Sequence, residues 1–176
     1  MIEWGRTTGG VTTITRDGTP AATARKAAMR GDMYVEIDGA RWLFFASRGA
    51  LVGERSGAEQ PSLRATRPGR NRHAWDVQAD RAMYRVERRS RLQNRFVVRQ
   101  ESTDVATGFG ARRFKRARLD INTGMSLEHQ VFLLWLIGGD HRPAKRVRGG
   151  SAADGPIPGS TAFGGFGAGG ADVGPT

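Results

Sequence analysis

One twelve-residue stretch constrains the fold more than any other feature of this sequence. Residues 126–137 read Ser-Leu-Glu-His-Gln-Val-Phe-Leu-Leu-Trp-Leu-Ile and are followed by two glycines. Ser126 is a favourable N-cap, and Glu128 suits the positive end of a helix dipole. The paired glycines suit the left-handed residue that commonly ends a helix. The pattern predicts a helix at about 126–138, and because this helix has no polar face after its first turn, it must be buried on every side.

Several sequence features predict the cellular compartment of the protein. They include the length of the apolar run and the absence of cysteine. The run is about half of the ~20 residues that a bilayer-crossing helix needs, which favours a buried core helix. Residues 1–30 contain no apolar run of the kind found in signal peptides, and the chain has no cysteine. These features predict a cytoplasmic protein without a disulfide framework or a thiolate metal site.

The segment before the helix has the pattern of many short strands. In residues 33–47, two alternating runs flank Asp38-Gly39, which is a strong hairpin signal. Alternation and turn signals predict at least seven strands of five to eight residues, at the spacing of a sandwich or barrel. Because the helix must be enclosed, we expect a mainly β fold: a closed antiparallel β-barrel wrapped around one central hydrophobic C-terminal helix.

The chain of 176 residues suits one domain with three sections. Residues 1–20 are expected to be poorly ordered or to form an edge strand, with one strand candidate at 11–15. Residues 21–148 are expected to form the barrel with its helix, although 21–29 fits either a short helix or an edge strand. Residues 149–176 hold ten glycines, three prolines and no basic residue, which predicts a disordered tail.

The basic residues are the one positive sign of function. The net charge is +11 and the pI is about 11.4, which is typical of proteins with anionic partners. The bases form three clusters, with Arg88, Arg89 and Arg91 in the middle one, and an arginine patch suits bidentate phosphate contacts. The alternative is that arginine fills outward positions through genome composition alone. The candidate anion-binding residues, from the first and third clusters, are Arg64, Arg67, Arg70, Arg72, Arg112, Arg113, Lys115, Arg116 and Arg118.

No catalytic or cofactor motif is recognisable. The three histidines (His73, His129 and His141) do not lie at metal-binding spacing with a carboxylate. A GxGxxG match at 165–170 falls in the glycine-rich tail, without a preceding strand or a following helix, and is attributed to chance. Asp76, Asp80 and Glu87 lie beside arginines and fit surface ion pairs. We therefore expect a protein that is not an enzyme and uses neither metal nor cofactor.

Several segments together resemble the tubby C-terminal-like superfamily, which includes tubby, phospholipid scramblases and the LURP-one-related proteins. The segments are Trp75-x-Val77, Tyr84-Arg-Val-Glu-Arg-Arg-Ser90, Phe96-Val-Val98 and the terminal helix, and the resemblance covers roughly residues 21–139. The chain looks most similar to the small bacterial members. The resemblance implies a closed barrel of about twelve strands around a hydrophobic helix. It does not imply scramblase activity, because the chain has no calcium-ligand cluster or cysteine-rich segment.

The resemblance also implies a ligand class. Tubby holds phosphoinositide headgroups on a basic surface, so the expected partner here is an anionic lipid or membrane surface, bound by a monomer that is peripheral to the membrane. Nucleic acid is a rival partner, although single-strand binders generally place exposed aromatic residues among the basic ones. A structural or adaptor domain with incidental charge is the alternative from a different class.

Overall fold

The computed structural model describes residues 1–27, 32–69, 73–90, 92–111 and 116–138. Within these residues the chain forms twelve strands followed by one helix. The elements are β1 (Ile2–Thr8), β2 (Val11–Arg16), β3 (Thr19–Lys26), β4 (Met33–Ile37), β5 (Ala40–Ser47), β6 (Ala50–Arg55), β7 (Leu63–Thr66), β8 (Ala74–Ala79), β9 (Ala82–Ser90), β10 (Arg95–Gln100), β11 (Thr103–Phe109), β12 (Arg118–Ile121) and α1 (Leu127–Gly138).

The twelve strands form one closed antiparallel barrel. Each strand pairs with its neighbours in sequence, and β1 pairs with β12 to close the ring. Closure removes the free edges that an open sheet would present for unwanted pairing. The predicted fold class is therefore confirmed.

Short turns connect many of the neighbouring strands. Asp17-Gly18 and Asp38-Gly39 join β2 to β3 and β4 to β5, and all four residues have positive φ angles between 49° and 83°. Two successive positive φ angles match the twist of the flanking strands, and Asp-Gly accepts them at low steric cost. The hairpin predicted for residues 33–47 is confirmed by the pairing of β4 with β5.

The helix α1 occupies the interior of the barrel. Its residues 129–137 are all buried. The Phe44 ring on β5 lies 5.3 Å from the rings of both Phe132 and Trp135, while Ile137 approaches Gly108 on β11 so closely that a Cβ there would clash with it. Because β5 and β11 are six strands apart in a ring of twelve, the helix contacts opposite walls.

The N-terminal segment differs from the expectation. Residues 1–20 were expected to be poorly ordered or to form an edge strand, but they form β1, β2 and the beginning of β3, and β1 pairs on both sides. The segment 21–29, which fitted a helix or a strand, belongs to β3 as far as Lys26. Few large apolar side chains mark these strands, since Ile14 is the only large inward residue of β2 and the inward residues of β3 are Ala22 and Ala24. The predicted tail, 149–176, lies outside the described residues.

Replacement of a helix side chain at the centre of the barrel tests this arrangement. We expect Phe132→Ala to lower the free energy of unfolding by about 3–5 kcal/mol, because it leaves a cavity between the helix and β5. Urea unfolding measures the loss. Met83→Ala, at an apolar residue that is 58% exposed, is the control and should change stability by about 0.5 kcal/mol or less. Equal effects of the two changes would contradict the enclosure of the helix.

Candidate functional site: the basic end of the barrel

The alternating direction of the strands gives the barrel two distinct ends. Odd-numbered strands finish, and even-numbered strands begin, at one end, which we call the basic end. The opposite end, which we call the acidic end, contains Met1 and the beginning of α1. For the charge comparison, each end consists of its described turn residues and the two nearest residues of each adjoining element.

Charge is strongly segregated between the two ends. The basic end carries eight basic residues and a single acidic residue, Asp32. The acidic end carries eleven acidic residues and six arginines. The bases of the basic end are Arg25, Lys26, Arg48, Arg67, Arg89, Arg95, Arg116 and Arg118. The acids of the opposite end are Glu3, Asp17, Glu36, Asp38, Glu54, Glu59, Asp80, Glu101, Asp104, Asp120 and Glu128.

All eight bases of the basic end have exposed side chains, and they are spread around the rim. Arg25 and Lys26 are the last two residues of β3, Arg89 is the second-to-last residue of β9, and Arg95 begins β10. In the strand order, β3 and β9 are six strands apart, so the charges surround the whole opening of the barrel. Clustered cations on one surface produce a local positive potential that attracts anionic partners.

The structure separates the residues chosen from the sequence. Arg67, Arg116 and Arg118 lie at the basic end, whereas Arg64 is the second residue of β7 and lies at the acidic end. The strands β7 and β12 are five positions apart in the ring, so Arg64 and Arg118 are not side by side on the barrel wall. The other candidates, Arg70, Arg72, Arg112, Arg113 and Lys115, lie outside the described residues.

The structure also adds basic residues that sequence reasoning did not include among the candidates. Arg25, Lys26, Arg48 and Arg95 join Arg89, from the middle cluster, at the same end. They are distant in the sequence, and no local pattern connects them. Every second turn of an up-and-down barrel lies at the same end, so counting turns along the sequence would have identified these residues. That count requires every strand to be assigned.

Aromatic rings hold three arginine side chains on the barrel wall near the basic end. The guanidinium carbon of Arg118 lies 4.6 Å from the centre of the Phe109 ring, and that of Arg67 lies 4.5 Å from the Trp75 ring. Arg88 lies 5.9 Å from the Phe96 ring in the same way. Stacking on an aromatic face orients the guanidinium plane.

The arginine ion pairs in the described part of the chain lie on the outer wall of strands β8 to β11 and not at the basic end. Arg85 binds Asp76 at 2.8 Å, and Arg99 binds Asp104 at 2.6 Å, with Glu87 between the two arginines. The hydrogen bond from Arg85 to Asp76 raises the pKa of Arg85. In contrast, no described carboxylate forms an ion pair with Lys26, Arg89 or Arg95. Their charges are therefore available to an external anion.

A buried polar cluster connects the helix to the β8–β9 turn at the acidic end. The Nε2 atom of His129 lies 3.0 Å from Oδ2 of Asp80, and its Nδ1 atom lies 3.1 Å from the hydroxyl of Tyr84. Tyr84 is only 6% exposed, whereas the Asp80 side chain is 58% exposed, so the cluster extends from the beginning of the helix to the surface of the barrel. In the described part of the chain, no three potential ligand side chains group closely enough to hold a metal ion.

An open groove lies on the outer wall of the barrel between β2 and β5. Its volume is about 590 Å³, and its lining includes Val11, Tyr34 and Trp42 together with Arg25 and Arg41. This lining combines apolar and charged side chains. It could accommodate part of another protein.

Comparisons with known proteins identify no relative of this protein. No protein-family model matches the sequence, and neither the curated proteins nor the solved structures provide a significant match. The structure defines the class as a twelve-stranded antiparallel barrel filled by a hydrophobic helix and carrying one basic end. Among the described residues, no helix has both the length and the apolar character to cross a membrane.

The cluster at the helix start predicts how stability depends on pH. Burial, and to a lesser degree Asp80, raise the pKa of Tyr84 above its usual value. Because this pKa is higher in the folded state, its stabilising contribution is complete below about pH 10 and is lost as the pH rises through the folded-state pKa. We expect Tyr84→Phe to remove this alkaline loss. The same change should lower stability at pH 7 by about 1–3 kcal/mol, because His129 loses a partner.

Urea unfolding between pH 7 and 11 measures both effects. The chain has only two tyrosines, and Tyr34→Phe is the matched control because Tyr34 is 57% exposed. The control should change neither the stability at pH 7 nor the loss of stability at alkaline pH. Identical pH profiles for wild type and Tyr84→Phe would contradict the role of Tyr84.

Proposed function

We propose that this protein is a non-enzymatic, tubby-like binding module whose basic end binds an anionic membrane surface or lipid headgroup. The observation that carries the proposal is the segregation of charge: eight bases and one acid at one end, against six arginines and eleven acids at the other. Incidental arginine enrichment should increase positive charge at both ends. A binding surface for phosphate groups requires concentration at one end, which is the pattern found.

The arrangement of charges at the basic end favours an extended binding partner. The described charges are spread around the barrel opening, so they suit many phosphates distributed over a surface. Each Lys or Arg close to an anionic membrane contributes about 1 kcal/mol to binding at physiological salt. Eight such residues give strong attraction even if only part of the rim makes contact.

The resemblance noted in the sequence supports the same proposal. The tubby C-terminal-like superfamily has a barrel of about twelve strands around a hydrophobic helix, and the twelve strands and α1 have that arrangement. Tubby binds phosphorylated lipid headgroups through basic residues. Membership in this superfamily is part of the proposal.

Two other candidates each have one observation in their favour. Nucleic acid also presents phosphates, and stacked arginines such as Arg118 can contact them. However, Tyr34 is the only exposed aromatic residue in the described part of the basic end, and single-strand binders generally stack bases on several. An adaptor function is favoured by the groove between β2 and β5, which could hold another protein.

Co-sedimentation distinguishes these candidates. The purified protein is mixed with neutral vesicles, anionic vesicles or duplex DNA at about 0.05 and 0.2 M salt, a range over which electrostatic screening changes strongly. We expect selective binding to anionic vesicles that persists at the higher salt concentration. Preference for DNA would support the nucleic-acid candidate, and absence of binding to any of the three would contradict the proposal.

Charge replacement at each end gives a matched test of the surface. We expect Lys26→Ala, Arg89→Ala and Arg95→Ala together to weaken binding to anionic vesicles by about 100-fold, at about 1 kcal/mol per charge. All three side chains are exposed at the basic end. The control combines three changes to Ala at exposed arginines of the acidic end, which are Arg41, Arg55 and Arg81.

The two triple variants have the same net charge, so a general electrostatic effect would weaken both equally. We expect the control to retain binding within about threefold, since its charges are distant from the contact surface. Equal losses in vesicle binding would assign the attraction to net charge and not to the basic end.

A further inference from the structure

One residue of the basic end is apolar and highly exposed, in contrast to the charged residues around it. Leu92 lies in the turn between β9 and β10 and is 86% exposed. The other exposed large apolar residues of the described chain are at most 58% exposed. A single exposed leucine is ordinary on a protein surface, so its position and surroundings must carry the argument.

Hydrogen bonds hold the turn that carries Leu92. The backbone N–H of Gln93 donates to Oγ of Ser90 at 3.1 Å, and the N–H of Gly110 donates to the carbonyl of Asn94 at 2.9 Å. The side-chain amide of Asn94 also donates to the carbonyl of Ala111 at 3.3 Å. Gln93 is therefore bonded to β9 and Asn94 to the segment after β11, and Leu92, next to them in the chain, projects into solvent.

Exposed cations flank this leucine. Arg89 and Arg95 lie on the two strands that the turn connects, and both are exposed at the basic end. A projecting apolar side chain between cations matches the layered chemistry of an anionic bilayer, where phosphates lie above hydrocarbon. The surface of duplex nucleic acid offers phosphates without a comparable apolar layer.

We propose that Leu92 is a membrane anchor, which enters the hydrocarbon layer of an anionic bilayer while the surrounding arginines bind the headgroup phosphates. This inference rests on the proposed function and adds the orientation of the bound protein. The β9–β10 turn points into the membrane, and the acidic end with the start of α1 points away from it.

The absence of cysteine permits a direct test of insertion. Leu92→Cys and Met83→Cys are each labelled with an environment-sensitive fluorophore such as nitrobenzoxadiazole. Met83 is the matched control because it is apolar, 58% exposed and located at the acidic end. With vesicles of phosphatidylcholine and phosphatidylserine, the label at 92 should shift to the blue and gain intensity. The label at 83 should remain as it is in water.

Neutral substitutions measure the contribution of the leucine to binding. We expect Leu92→Asn to weaken binding to the same vesicles by about tenfold, in line with the burial of a leucine side chain. Met83→Asn should change binding by less than about twofold. Both variants should unfold at the same urea concentration as wild type, because both side chains are exposed.

The outcomes separate this inference from the proposed function. Binding to anionic vesicles without a shift of the label at 92, or without an effect of Leu92→Asn, would overturn insertion and leave surface binding intact. Equal responses at positions 92 and 83 would overturn the orientation. If the wild-type protein binds no anionic vesicles, both the inference and the proposed function fail.

Discussion

The structure depends on the burial of one helix that has no polar face after its first turn. In water, α1 would expose apolar surface on every side, and a sheet with one open face could cover only one of them. A closed barrel covers all of them, so the helix and the ring of strands require each other. The inner wall fits the helix by using small residues where it comes closest, such as Gly108 against Ile137, and aromatic residues where space remains, such as Phe44.

Closure by an even number of antiparallel strands also determines the electrostatics. Every second turn is at the same end, so basic residues in alternate turns accumulate there although they are distant in sequence. The orientation of α1 agrees with this distribution. Its N-terminus, which carries the positive end of the helix dipole, lies among the acids with Glu128 in its first turn, and its C-terminus points to the basic end.

The two ends therefore differ in their chemistry. At the acidic end, His129 connects the helix to Asp80 and Tyr84, and this contact fixes the position of the helix along the barrel axis. At the basic end, exposed cations and the leucine of the β9–β10 turn meet the solvent, and Asp32 is the one acidic residue among the described residues of that end. An exposed surface with an excess of cations has a positive potential, which attracts anions in general.

The buried helix and the hairpin at 33–47 could be predicted from the sequence, because they follow from local periodicity and turn chemistry. The barrel could be predicted because a helix that is apolar on every side has to be enclosed. The sequence did not determine the number of strands, since β1 and β2 contain few large apolar residues and their pairing comes from closure of the ring. The grouping of the basic residues depends on that number. Without every strand assigned, the end at which a turn lies cannot be deduced, so only the tertiary structure could bring Arg25 and Arg95 to the same end and place Arg64 at the other.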